Sequence, residues 1–137
     1  MDDAQPEGPS LDDAVAAAEF RTSLRHFLHA SERVARRAGL TPQRYQLLLM
    51  IKGAPDRSEQ STVGDLSRRL QLAQSTVTEL VQRAEESGLI ERRRHNVDAR
   101  TTMLRLTAEG EHRLTQALGE LAAERHRLAE TIAELGL

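Results

Sequence analysis

The stretch "STVGDLSRRLQLAQSTVTELVQRAEESGLIERRRHNVDARTTMLRLT", residues 61–107, decides the fold, because its hydrophobic period changes from helical to extended part-way along. Thr62 and Asp65 stand at capping-box spacing, and Val63, Leu66 and Leu70 form an apolar stripe behind them. Three residues on, "QSTVTELVQRAEESG" predicts a second helix with Val77, Leu80, Val81 and Ala84 as its buried face and Gly88 as its stop. Two short helices joined by so tight a turn make a helix-turn-helix. In "LIERRR" and "TTMLRLT" the alternation of Ile90, Leu104 and Leu106 with polar residues predicts two strands, with Asn96–Ala99 as their turn. A helix-turn-helix followed directly by a β-hairpin is a winged helix.

Outward from this stretch the pattern is helical. Residues 1–10 hold two Pro, one Gly and three acids with little to bury, which predicts a disordered acidic tail. Phe20, Leu24, Phe27, Leu28, Val34 and Ala35 recur at spacings of three and four up to Gly39, so residues 11–40 form a long first helix. "TPQRYQLLLMIKG" predicts the next, with Thr41 as N-cap, Pro42 in the first turn and Gly53 at the end. "APDRSEQS" is a loop. From Thr107 onward, Leu114, Leu118, Leu121, Leu128, Ile132 and Leu135 alternate spacings of four and three, with Arg125 filling one place in the series. An ordinary core helix shows a similar stripe, but a seam this long in a 137-residue chain is read as facing a partner subunit. The expected organisation is therefore mainly α with a small β-hairpin wing. A winged helix-turn-helix at 41–106 is flanked by an N-terminal helix at 11–40 and a C-terminal helix at 107–137.

Composition excludes several classes. Aromatics are 2% of residues, too few for an aromatic cage or a base-stacking platform. With no cysteine, the chain has no disulfide or thiolate metal site, which suits a reducing cytosol. No apolar run approaches the roughly 18 residues that span a bilayer. The N-terminus is acidic where a signal peptide is basic, so a cytoplasmic location is expected. His26 and His29 lie three apart on one helical face, but no cysteine or carboxylate pair completes a metal site, and they read as structural or surface residues. Glycine-rich phosphate loops and nucleophile elbows are missing, and no histidine stands in sequence reach of Ser75 or Thr76. No enzyme, cofactor or metal is expected.

The net charge of −2 hides a segregation. Residues 1–19 carry six acids and no base, residues 20–105 carry sixteen Lys and Arg against nine acids, and residues 106–137 carry three against six. A basic middle between acidic ends suggests a site for a polyanion. A wing flanks the duplex when the second helix of the motif enters the major groove. Arg92, Arg93 and Arg94 then sit where phosphates are, and Asp98 can hold Arg100, two residues on, for the minor groove. The bland reading is an exposed, solubilising ribbon with an incidental ion pair. A rival of another class is a winged helix that binds protein.

Read in order, "STVTELV", "EESGLIERR", "DARTTMLRLT" and "AEGE" make the chain resemble the MarR family of bacterial transcriptional regulators, from about Phe20 to Leu121. The resemblance implies a homodimer that recognises a pseudo-palindromic operator on double-stranded DNA, commonly as a repressor, and often releases it when a small phenolic or anionic effector binds. It implies that Gln74, Ser75, Thr76, Thr78 and Gln82 face the major groove or its phosphates, with Asp98 and Arg100 at the wing tip. It also implies a dimer interface built from the N- and C-terminal helices. The implied effector crevice would be lined by Phe27, Leu28, Arg44, Tyr45 and Leu48, although Phe27, Leu28 and Leu48 equally suit a closed core. Two positions depart from the family pattern. Ala73 stands where Ser or Thr commonly caps the recognition helix, and Glu79 where relatives look basic. An acid there either accepts from a cytosine amino group or repels phosphate.

Overall fold

The structure, a computed structural model, describes residues 8–94 and 101–136. They form six helices and one two-stranded antiparallel hairpin: α1 (Leu11–Arg37), α2 (Pro42–Lys52), α3 (Val63–Leu70), α4 (Gln74–Glu86), β1 (Ile90–Arg94), β2 (Thr102–Leu106), α5 (Ala108–Glu120) and α6 (Ala122–Leu135). The chain divides into two compact units. One is Glu32–Glu120; the other combines Met1–Ser31 with Leu121–Leu137. Most of the expected N-terminal tail, residues 1–7, lies outside the described residues, as does the expected turn at Asn96–Ala99.

The larger unit is the winged helix. Its helices start where the caps require. Thr41 Oγ1 accepts from Arg44 N at 3.1 Å to open α2. Thr62 and Asp65 complete a reciprocal capping box on α3, with Asp65 N donating to Thr62 Oγ1 at 3.1 Å. Burial pushes the Asp65 carboxyl up, but the Arg68 guanidinium and the hydrogen bonds with Thr62 outweigh it and hold the group below its ordinary value. Leu47, Leu48 and Ile51 of α2 are fully buried, as are Leu66 of α3, Val77 and Val81 of α4, Leu104 of β2 and Leu114 of α5. Lys52, at the end of α2, joins two other segments to this core. Its Nζ lies 2.6 Å from Glu59 Oε1 and 2.9 Å from Glu111 Oε1 of α5. The hydrogen bonds to Glu59 and Glu111 hold the ammonium above its usual pKa, and Lys52 in turn holds Glu59 below the usual carboxylate range.

The hairpin pairs Ile90 with Leu106 and Arg94 with Thr102. The 54–61 segment is not wholly a loop. Ser61 N donates to Leu104 O at 3.1 Å and Leu104 N returns a bond to Ser61 O at 2.8 Å, a single bridge on the other edge of β2. One residue of pairing carries no periodicity, so the sequence pattern could not show it.

A second difference lies at the C-terminus. The spacing predicts one helix over 107–137, but the structure has two, α5 and α6, separated at Leu121 (φ −90°, ψ −3°). The departure from helical backbone at Leu121, two residues after Gly119, interrupts the run that the leucine spacing suggests. In the smaller unit, α6 has no fully buried residue, while Leu11, Val15 and Leu28 of α1 are 78%, 52% and 47% exposed.

The corner between α4 and β1 is closely packed. Gly88 turns the chain at φ +74°, a value that favours glycine, and Leu89 follows fully buried. Thr107 N donates to Leu89 O at 3.0 Å, and its hydroxyl donates to Gly88 O at 2.6 Å while accepting from Gly110 N at 3.1 Å. Gly110, buried on the first turn of α5, packs so close that a Cβ there would collide with the Leu89 carbonyl oxygen. Gly110→Ala should therefore destabilise the protein by about 1–3 kcal/mol through overpacking, read as a clear fall in thermal midpoint. A midpoint equal to the parent's would show that α5 shifts without cost.

Candidate nucleic-acid interface

The interface is built on α4 and the strands that follow it. The turn between α3 and α4 is closed by Gln71 in the left-handed region (φ +56°) and by Ser67 Oγ, which donates to Leu72 O at 2.6 Å. Arg69 sets α3 against α2. Its guanidinium donates to Met50 O at 2.7 Å and Gly53 O at 3.2 Å, the free carbonyl end of α2. Sequence reading missed this contact, because the two partners lie 19 and 16 positions away.

On α4 the buried stripe is Val77, Val81 and Ala84, with Leu80 half-buried. The helical period therefore turns Gln74, Ser75, Thr76, Thr78 and Gln82 outward, and all five are exposed. Glu79 and Arg83 share that surface, joined by an i,i+4 ion pair of 3.2 Å. Sequence reading named Glu79 without its partner, although acid-then-base at that spacing is a legible signal. At the start of the helix, Ala73 occupies the N-cap with extended backbone (φ −62°, ψ 148°) and provides no side-chain acceptor.

Strand alternation divides the arginine triplet instead of leaving one continuous patch. Arg92 is paired across the hairpin with buried Leu104, and its Nε donates to Glu85 Oε1 of α4 at 2.8 Å. Arg93 stands on the opposite face. There Glu91 lies 3.7 Å from Arg93 Nε and 3.1 Å from Arg105 Nε, its cross-strand partner. Arg94 contributes its backbone to β1; Asp98 and Arg100 lie outside the described residues.

The residues expected to line an effector crevice fall in both units. Tyr45 and Leu48 are buried in the core of the winged helix, and Arg44 beside them is half-buried. In the smaller unit Leu28 is exposed, and half-buried Phe27 lines a cleft of about 100 Å³ with Ser23, His26, Glu124, Arg127, Leu128 and Thr131. The seam residues divide likewise. Leu114 and Leu121 are buried within the single chain, whereas Leu118, Leu128, Ile132 and Leu135 are half-buried. Among the described residues no group of three or more His, Cys, Asp or Glu side chains is placed to hold a metal, and no helix is long and apolar enough to cross a membrane.

A family model for the MarR family matches residues 38–101, from just after α1 to just before β2. The chain is 29% identical to the MarR family transcription regulator SP03579, whose crystal structure superposes with a TM-score of 0.69 over 88% of this chain and 76% of that one. Over its winged helix the chain is similar to the MarR family. Among curated relatives, the HTH-type transcriptional repressor YetL of Bacillus subtilis (strain 168) is 30% identical over 90 residues, 66% of this chain and 53% of its own length. The chain thus spans about half the length of that relative. At the level of fold alone, it also matches the S. aureus MepR F27L mutant bound to oligodeoxyribonucleotide, with a TM-score of 0.66, 18% identity, and 83% and 81% of the two chains covered.

In this chain the uncapped start of α4 is a measurable weakness. Ala73→Ser leaves the extended N-cap backbone unchanged and supplies the missing acceptor, so it should raise stability by about 0.5–1 kcal/mol in thermal or denaturant unfolding. No gain would mean that the first turn of α4 is already satisfied by solvent.

Proposed function

We propose that this chain is a MarR-family transcriptional repressor that binds double-stranded DNA as a homodimer on a pseudo-palindromic operator and is released by a small aromatic or anionic ligand. The observation that carries the reading is the outward face of α4. It holds exposed, hydrogen-bonding side chains on the second helix of a helix-turn-helix, with an arginine-bearing hairpin next in the chain. In the major groove, Gln74 and Gln82 would read base edges, while Ser75, Thr76 and Thr78 would hold phosphates or bases. Arg93, Arg94 and Arg100, with Asp98 orienting the last, would follow the backbone and the minor groove; Arg92 would do so from its tether on Glu85. The name of YetL supports repression, and the oligodeoxyribonucleotide bound by the MepR mutant supports DNA as the partner of this fold.

Dimerisation is supported by unsatisfied apolar surface in the smaller unit, where Leu128, Ile132 and Leu135 of α6 remain half-exposed and Leu11, Val15 and Leu28 more so. With Leu114 and Leu121 already covered within the chain, the seam toward a partner reduces to Leu118, Leu128, Ile132 and Leu135. The effector reading is carried by the family resemblance, with Arg44 as anion partner and Tyr45, Leu48, Phe27 and Leu28 as the apolar lining.

Titration of the protein onto duplex DNA tests the reading. Affinity should fall by about tenfold or more between about 50 and about 200 mM salt, and Arg93→Ala should weaken all sequences alike while lowering the salt slope by about one. Binding that ignores salt, or no binding, would point to a protein-binding winged helix instead. The same titration with salicylate should show release from the parent that is blunted in Arg44→Ala; a tenfold loss of affinity corresponds to about 1.4 kcal/mol of coupling. For assembly, Ile132→Asp should yield monomer or aggregate in sedimentation, because burying an unpaired carboxylate costs several kcal/mol. A dimer of normal size would remove Ile132 from the interface.

A further inference from the structure

Glu79 is the residue of α4 that a DNA-binding role leaves hardest to place. It is the sixth residue of the helix, and at 100° per residue it lies within about 20° of the point opposite the Val77, Val81 and Ala84 stripe. A helix seated in the major groove by its outward face presents that pole to base edges, while the flanks of the face, Thr76 and Arg83 on one side and Thr78 on the other, run toward the two phosphate backbones. Ser75 and Gln82 lie within about 60° of Glu79 around the helix, so Glu79 meets bases if they do. Its carboxylate is not an isolated negative charge. Oε1 accepts from Arg83 Nη2 at 3.2 Å, both side chains are about two-thirds exposed, and Oε2 accepts no hydrogen bond from any described residue.

We propose that Glu79 is a specificity-determining residue of this chain, whose Oε2 accepts a hydrogen bond from the exocyclic amino group of a cytosine. The proposal rests on the DNA-binding reading above and goes further by naming one base. Among the four bases, cytosine N4 and adenine N6 offer donors in the major groove. Adenine sets its N7 acceptor beside N6, where a carboxylate is repelled; cytosine has no N7 and presents its donor without that penalty. Guanine O6 and N7 and thymine O4 are acceptors and repel it as well. Arg83 is the positioning residue. It holds the carboxylate by its other oxygen and offsets its charge near the phosphates, so that one face of the helix carries an acid without losing the duplex.

The test is selection of bound duplexes from a random pool, followed by titration of the parent, Glu79→Ala, Glu79→Gln and Arg83→Ala, with helicity checked by circular dichroism. The parent should show one C·G pair whose replacement costs about tenfold in affinity. Glu79→Ala should abolish that preference and no other, while binding unrelated duplex more tightly because a negative charge has gone. Glu79→Gln should move the preference toward adenine, whose N6 and N7 suit an amide. Arg83→Ala should lower the cytosine preference at the same pair, an effect that loss of a surface charge alone would not produce.

If Glu79→Ala gains equally on every sequence and relaxes no position, the residue only repels phosphate and the proposal is overturned. A parent that selects sequences without that cytosine overturns it too. A parent that binds no duplex defeats the DNA-binding reading itself, which is a different result.

Discussion

The joint between α4 and the wing holds the winged helix together. Thr107 reaches back to both carbonyls of the Gly88–Leu89 corner and at the same time caps α5 through Gly110 N. One residue, through its backbone N–H and its hydroxyl, thus ends the hairpin, fixes the exit of α4 and starts the next helix. The close approach depends on Gly110, because no side chain fits between α5 and the Leu89 carbonyl. Loosening this point would let the hairpin rotate relative to α4, and a winged helix reads a duplex only if helix and wing keep their spacing. The Ser61–Leu104 bridge adds a second restraint, tying β2 to the segment that leads into α3.

The same construction explains how charge is distributed. A triplet of arginines on an extended strand cannot form a single patch, since neighbours point to opposite faces. Arg92 is drawn to the α4 side and held by Glu85, while Arg93 and Arg105 share Glu91 on the other. These pairs are largely exposed and contribute little to stability. Their effect is to orient guanidinium groups at modest energetic cost, and Arg93 is held by a long contact of 3.7 Å and not by a buried salt bridge.

Much of the fold was legible in local pattern. The capping box at Thr62 and Asp65, the Thr41 cap with Pro42 behind it, the apolar stripe of α4 and the alternation of Ile90, Leu104 and Leu106 are all short-range signals, and each appears in the structure where the pattern put it. The outward position of Gln74, Ser75, Thr76, Thr78 and Gln82 follows from the same periodicity. The leucine series at the C-terminus was less informative. Spacings of four and three describe a helical stripe but not where a helix breaks, and the division at Leu121 separates residues that the spacing joins.

The sequence by itself determined the order of elements, the buried face of each helix and the polar face of α4, because these depend on residues within a turn or two of one another. Only the tertiary structure decided how basic side chains find partners beyond a single turn of helix. Arg69 caps α2 from α3, Lys52 bridges Glu59 and Glu111, and Arg92 chooses Glu85 over its strand neighbours. It likewise decided that Gly110 must be glycine and that Leu114 and Leu121 are consumed within the chain. Those outcomes depend on distances between segments far apart in sequence, and such distances exist only once the core of Leu48, Ile51, Leu66, Val77 and Leu104 has closed.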